Sequence, residues 1–504
     1  MTCEGAATGK LHAGWAASTL DACAHRGSGM QPMGRLGIAY AFLASAGWAA
    51  VCAVAAIEEL DPAVLSAGSF TLNRADSTAY EEPAPVLDYR QRERFLRGRH
   101  HFNQNWVQFP SIGGDWGLGP TFITDRCTGC HVKAGRGHPP SSDDEQLLSA
   151  LVRLSVPGES EHGAPKPHPN YGDQIQNQGL MGQGRDATFL GERVVPEAEV
   201  FVDWEERTVA FPDGETVSLR KPKVRWGKLY FGPIGEQTMI SLRMAQPVFG
   251  LGLLEAVPEA ALLQLAERQK AQGFNGRPNF VWDDIHQRVA LGRFGWKANQ
   301  PSVKQQIAAA YAGDLGVTSS LYPTPNCPPV QVDCAAQPPG NQPELIDNDW
   351  EELEFWTHGL AVPARRNVND AAVQRGEKLF SEAKCSGCHL PEMRTGEKFP
   401  SLPQLANQTF HAYTDLLLHD MGEGLADNRP DFKAGGRDWR TQALWGIGLS
   451  ATVNGSTALL HDGRARNIKE AILWHGGDAA ASRDAFMNMP KGDREALLKF
   501  VESI

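Results

Sequence analysis

Apolar and small side chains recur at helical spacing in two places, each ahead of a cysteine pair. Phe95, Gly98, Phe102 and Trp106 advance by three or four residues toward Cys127, and Val373, Gly376, Leu379 and Phe380 do the same toward Cys385. Each set predicts a helix with a glycine on its inner face. Between them the pattern changes to alternation. Val200-Phe201-Val202, Thr208 to Phe211 and Val217-Ser218-Leu219 surround the turn Pro212-Asp213-Gly214 and predict a hairpin. Helical periodicity returns at 260–272 and 303–312. It closes the chain at 494–504, where Leu497, Leu498 and Val501 form an apolar stripe able to pack on the second opening helix.

At 504 residues the chain exceeds one ordinary core, and its charge balance then narrows the function classes. With 48 basic against 59 acidic residues the net charge is -11, which disfavours a polyanion-binding surface and sets nucleic acid aside as a partner. The stretch 322–343 holds seven prolines and reads as a connection between units.

One uncharged apolar run, Leu36 to Ile57, follows Arg35 and ends near the small-residue triplet Ala53-Val54-Ala55. It predicts an export signal cleaved near Ala56, with Met33 as a candidate start and the periplasm as destination. The competing reading is an uncleaved membrane anchor. A lipidated Cys52 is a minor option, because the bulky Val51 precedes it.

Of the nine cysteines, four form two matched motifs, Cys127-Thr-Gly-Cys130-His131 and Cys385-Ser-Gly-Cys388-His389. Two thiols three positions apart can each add across a haem vinyl group, and the histidine that follows then points its imidazole at the iron. Four-cysteine zinc sites bring their pairs within about 15 to 20 residues, whereas these pairs are far apart. A thioredoxin-like pair needs a βαβ pattern, which neither motif has around it. The spacing therefore predicts two covalently bound haem c groups on Cys127, Cys130, Cys385 and Cys388, with His131 and His389 as iron ligands. In an exported chain Cys327 and Cys334 are near enough to form a local disulfide.

Both motifs, together with GLGP (117–120), GRFGWKA (292–298), LLLHDMGEGLAD (416–427), WRTQALWGIGL (439–449) and HDGRARNIKEAILWHGG (461–477), resemble the bacterial di-haem oxidoreductase family. Members of that family are described as peroxidases and also as predicted thiol oxidoreductases. More remotely the chain is similar to di-haem cytochrome c peroxidases, which have two cytochrome c-like domains with a haem in each.

The resemblance implies a mainly α fold of two cytochrome c-like haem domains with long loops and a small β-hairpin insertion in the first. The expected boundaries are 1–56 precursor, 57–320 first domain, 321–345 linker and 346–504 second domain. In the remote relatives the second axial ligand of the C-terminal haem follows the HDG histidine by fourteen residues, which from His461 lands on His475. Asn467 can cap the helix that carries it, and histidine where the relatives often have methionine should lower that haem's potential. His419 and Met421 are runners-up, as groups lining the same haem.

For the N-terminal haem, His138, His162 and His168 are candidate sixth ligands, and an open position is the more useful one for peroxide. The relatives carry a proton-moving acid after a Pro-x-Phe segment. Here Pro247-Val248-Phe249 leads to Glu255, with Arg243 where they use glutamine. Glu255 is thus the candidate catalytic carboxylate. Trp296, Trp445 and Trp474 are candidates for carrying an electron between haems.

The implied function is a peroxidase-like oxidoreductase whose C-terminal haem relays electrons to a peroxide-reactive N-terminal haem. The implied partners are hydrogen peroxide or another small oxidant and a small redox protein or quinol-linked donor, with a calcium ion between the domains as in some relatives. An electron-transfer cytochrome without substrate chemistry, or an oxidase of an organic or protein substrate, is the alternative.

Overall fold

Alternating residues in the middle of the chain build more sheet than their short apolar runs suggest. The computed structural model describes residues 61–109, 111, 115–180, 194–337 and 339–504. The expected export segment and the whole of 1–56 lie outside them. Among the described residues no helix is long and apolar enough to cross a membrane. The main elements are helix α1 (Tyr89–Asn103), strands β1 (Ala150–Glu159), β2 (Pro165–Lys166), β3 (Ala198–Ala210), β4 (Thr216–Leu229) and β5 (Met239–Met244), and then helices with a few short strand pairs between them. These are α2 (Leu251–Glu255), α3 (Glu259–Ala271), α4 (Val303–Ala310), α5 (Asp347–Gly359), α6 (Ala371–Glu382), α7 (Ile468–Trp474), α8 (Ala480–Asn488) and α9 (Lys491–Ser503).

The mainly α fold class is therefore corrected. Helix accounts for 32 % and strand for 21 %, with many short strands. Strands β5, β1 and β2 form an antiparallel sheet in that order, and β3 with β4 makes a long hairpin. The hairpin is not small, because both of its ends find partners. Val200 and Val202 bury beside Val152 and Leu154 of β1 at its base. At its tip Asp213 and Glu215 accept from the buried Arg494 of α9, at 2.6 and 2.8 Å. Two of the helices are brief, α2 spanning five residues and α7 seven.

The two opening helices form where periodicity placed them. Asp88 and Gln91 make a capping box that starts α1, which buries Phe95, Gly98 and Phe102. Trp106 lies past its end in extended chain, buried. Helix α6 buries all four predicted residues, Val373, Gly376, Leu379 and Phe380. A Cβ on Gly98 would strike the Glu352 carbonyl and the Trp356 side chain of α5, and one on Gly376 would strike the Ala496 carbonyl and Phe500 of α9. Glycine thus sets the distance of each helix crossing. Cys327 and Cys334 are joined in a disulfide, with Cα atoms 5.8 Å apart.

These crossings belong to an internal repeat. Phe294 and Gln300 form an isolated bridge, as do Leu459 and Ala465. The backbone N–H of Arg440 donates to the Trp296 carbonyl (2.9 Å) and that of Met244 to the His461 carbonyl (2.7 Å). Residues 294–300 and 459–465 therefore correspond, and so do 244 and 440. The contacts are reciprocal, as an approximate two-fold relation between the halves requires, and Gln246 Nε2 donates to Gln442 Oε1 (2.7 Å) at its centre.

A cluster of buried charge braces this centre. The fully buried Lys297 Nζ donates to Asp427 (2.7 Å) and to the Arg429 and Gly435 carbonyls, and Arg243 pairs with Asp431 (2.8 Å). Burial pulls Lys297 down to about 8. For Asp431 burial opposes ionisation, yet Arg243 and Arg429 outweigh it and hold the carboxyl at about 2.

Because the Gly376 contact leaves no room for a methyl group, Gly376→Ala is expected to lower stability by about 1–3 kcal/mol. A urea titration checks this, and an unchanged midpoint would mean that α6 and α9 do not touch.

Candidate functional site

Each Cys-x-x-Cys-His motif forms a tight turn and opens onto a cavity. The first cavity, of about 230 Å³, is lined by Cys127, Cys130 and His131 and by Phe102 of α1, and one face of α4 lies along it. The second, of about 190 Å³, is lined by Cys385, Cys388, His389, His419, Met421, His461 and His475. None of the four cysteines is in a disulfide. The aromatic ring one turn from the end of each opening helix backs the histidine, with Phe102 6.4 Å from His131 and Phe380 6.3 Å from His389 between ring centroids.

The hydrogen bonds settle the tautomer of three histidines. His131 Nδ1 faces the Gln246 carbonyl at 2.6 Å, His389 Nδ1 the Tyr413 carbonyl at 2.9 Å, and His475 Nδ1 the Ala471 carbonyl at 2.7 Å. A carbonyl only accepts, so each Nδ1 carries the proton and each Nε2 keeps its lone pair. Burial lowers all three, His389 to about 4, so the imidazoles are neutral, as metal ligands must be. His475 is the C-cap residue of α7, whose start Asn467 caps by accepting from Glu470 N (2.9 Å).

The remaining candidates stand apart from this pattern. His419 Nε2 lies 2.8 Å from Asp415 Oδ2, and its Nδ1 lies 3.7 Å from Cys388 Sγ. Burial opposes its charge, but the hydrogen bond to Asp415 carries its pKa up to about 10. Cys388, Asp415 and His419 offer donor atoms within 4.8 Å of one another, yet Asp415 also accepts from Gln269 Nε2 (2.7 Å). His138, His162 and His168 line neither cavity: His168 bonds the Ile234 carbonyl and His162 stacks on Trp282.

Glu255 also lies outside the lining of the first cavity, although its neighbour Leu254 is part of it. Its carboxylate takes His358 Nε2 at 2.7 Å and lies near Val303 N. Trp445 lines the first cavity and Trp474 neither, whereas Trp296 lines both.

Sequence reasoning missed most of the wall between the cavities. Arg136, Trp296, Arg440, Gln442 and Ala443 line both. Of the two guanidiniums, Arg136 reaches the Leu460 carbonyl (3.2 Å) and leaves Nε without a partner. Arg440 donates to the Gly295 carbonyl and to Gln442, both neutral. Burial draws each down to about 10. Buried cations without carboxylates call for an anion. The advance signals were that Arg440, Gln442 and Ala443 fall within one family segment and that Trp296, in another, was already a candidate electron carrier.

These features fit haem. The cavities are largely apolar, each offers a thiol pair and a neutral imidazole with Nε2 free, and the shared guanidiniums suit propionate carboxylates. Dithiol redox chemistry fits poorly, because it works through a thiolate of lowered pKa, whereas burial pushes Cys127 and Cys385 up to about 12.

Residues 63–504 match the family model described as "Di-haem oxidoreductase, putative peroxidase", and the chain belongs to that family. Its haem cofactors follow from that membership. No curated relative and no solved structure matches the chain.

The Glu255 pair has a pH signature. Burial opposes the charge on His358, and the hydrogen bond to Glu255 overcomes this and raises its pKa. The pair's contribution is then full below the unfolded value of about 6.5 and is lost as pH rises through the folded value. Glu255→Gln should cost about 1–3 kcal/mol near pH 6 and less at alkaline pH, followed by chemical unfolding. A difference independent of pH would show His358 to be uncharged.

Proposed function

We propose that, as a di-haem oxidoreductase, this protein is an exported c-type di-haem peroxidase. Thioether bonds to Cys127, Cys130, Cys385 and Cys388 hold the two groups, and His131 and His389 bind the irons. His475 would offer a second imidazole to the C-terminal haem. The observation that carries this reading is the pair of cavities, each with a Cys-x-x-Cys-His turn and an Nε2 lone pair, meeting at one wall made of Trp296 and Arg440.

Reduction of hydrogen peroxide to two waters takes two electrons and two protons, and the bound haems supply the one-electron carriers that this requires. The chain supplies the rest. His131 and His389 are oriented by backbone carbonyls and cannot rotate away without breaking those bonds. Arg136 and Arg440 neutralise propionates on both sides of the shared wall. Trp296, held by its Nε1 on the Met244 carbonyl at 2.8 Å, fills the space between the two sites and is the group through which an electron crosses. Glu255 and His358, directly behind Leu254 and Thr357 of the first cavity, move protons toward it.

Electrons come from a small redox protein or a quinol-linked donor. Export to the periplasm is supported by the apolar run at 36–57 and by the Cys327–Cys334 disulfide, which is at home in an oxidising compartment.

Protein matured in a cytochrome-competent host should carry two haems per chain by mass. Peroxide should change its resting optical spectrum. His475→Gly should turn the C-terminal haem high-spin at unchanged haem content. Bare apoprotein, or a spectrum indifferent to peroxide, would refute the reading.

A further inference from the structure

The repeat assigns a difference between the two sites that neither cavity reveals alone. We propose that the N-terminal haem keeps an open axial position because Ala310 stands where His475 stands in the other half, and that Gln306 is the side chain that meets a small ligand bound there. The proposal rests on reading the first cavity as a haem site.

Helices α4 and α7 are counterparts by three independent marks. Each follows one of the matching bridges, Phe294 with Gln300 and Leu459 with Ala465. Each begins two residues after that bridge at a polar cap, Ser302 accepting from Gln305 N (3.2 Å) and Asn467 from Glu470 N (2.9 Å). Each lays the residues one, four, five and eight positions past its cap along a cavity. These are Val303, Gln306, Ile307 and Ala310 in one, and Ile468, Ala471, Ile472 and His475 in the other. The apolar pair is kept as Val303 and Ile307 against Ile468 and Ile472. The other two positions change character. The imidazole at the eighth becomes a methyl group, and the methyl group at the fourth becomes an amide, one helical turn earlier.

The chemistry of the exchange is specific. Alanine has no donor atom, so the position that carries His475 on α7 carries no ligand on α4. Among the described residues His131 is the only histidine that lines the first cavity, and Met244, the only thioether that does, occupies the counterpart of Arg440 in the shared wall rather than of His475. Gln306 lines the cavity and has no side-chain hydrogen bond among the described residues. An amide N–H one turn from the vacated position can donate to an anion or a peroxide oxygen on the iron, as a preorganised donor does for developing charge.

Spin state tests this on the holoprotein, by optical and electron spin resonance spectra of the ferric form. Wild type should show one high-spin and one low-spin haem. Ala310→His should make both low-spin at two haems per chain, and His475→Ala should make both high-spin. If Ala310→His loads fewer than two haems, Ala310→Met is read the same way. Gln306→Leu should leave spin states alone but weaken fluoride binding to the high-spin haem about tenfold, as loss of one hydrogen bond does.

A wholly low-spin wild type, or a high-spin haem that survives the substitution at 310, would overturn the open position. Unchanged fluoride affinity in the Gln306 variant would remove Gln306 from that face. A wild type that binds fluoride at one high-spin haem yet ignores peroxide would uphold this assignment and end the peroxidase reading, so the two can fail separately.

Discussion

The structure depends on a reciprocal crossing in its middle. Backbone bonds from Met244 to the His461 carbonyl and from Arg440 to the Trp296 carbonyl lock each half onto the other's cavity wall. The same strand of chain then continues to Gln246, whose carbonyl orients His131 and whose amide reaches Gln442. One short segment thus orients His131, closes the cavity around it and joins that cavity to the next. Separating the halves would expose Trp296 and the guanidiniums of Arg136 and Arg440 together, which couples integrity of the fold to integrity of the site.

Charge at this centre explains why the wall is both rigid and receptive. Lys297, Arg243 and Arg429 meet Asp427 and Asp431 in a buried cluster, where each cation donates to a carboxylate, the arrangement in which buried ions are tolerated. Arg136 and Arg440, a few residues away in the fold, have only neutral partners. The contrast separates charge that braces the molecule from charge that awaits a bound group. It also shows how a chain of net acidic composition presents a locally cationic interior.

Much of the architecture was legible where local rules act alone. The apolar stripe of α6 reappears residue for residue, because a helix face is set by spacing within one segment. The hairpin was visible from its alternation, but its length was not, since its outer half is stabilised by Arg494 and Lys469 from more than 250 residues away. Glu255 was singled out by its place after a Pro-x-Phe segment. Its side chain meets His358, a partner no spacing rule could have named.

What the sequence determined by itself was the pair of motifs: two cysteines and a histidine at fixed spacing need no distant residue to make a turn that can offer two thiols and an imidazole to one group. What only the tertiary structure decided was which groups surround those turns. The tautomers of His131, His389 and His475 depend on carbonyls brought from other segments, and the wall of Trp296 and Arg440 exists only where two halves cross. The pairing of Ala310 with His475 likewise appears only when α4 and α7 are seen in matching places. Covalent spacing is a local property of the chain, whereas the environment of a metal ligand is made by whatever folding packs against it.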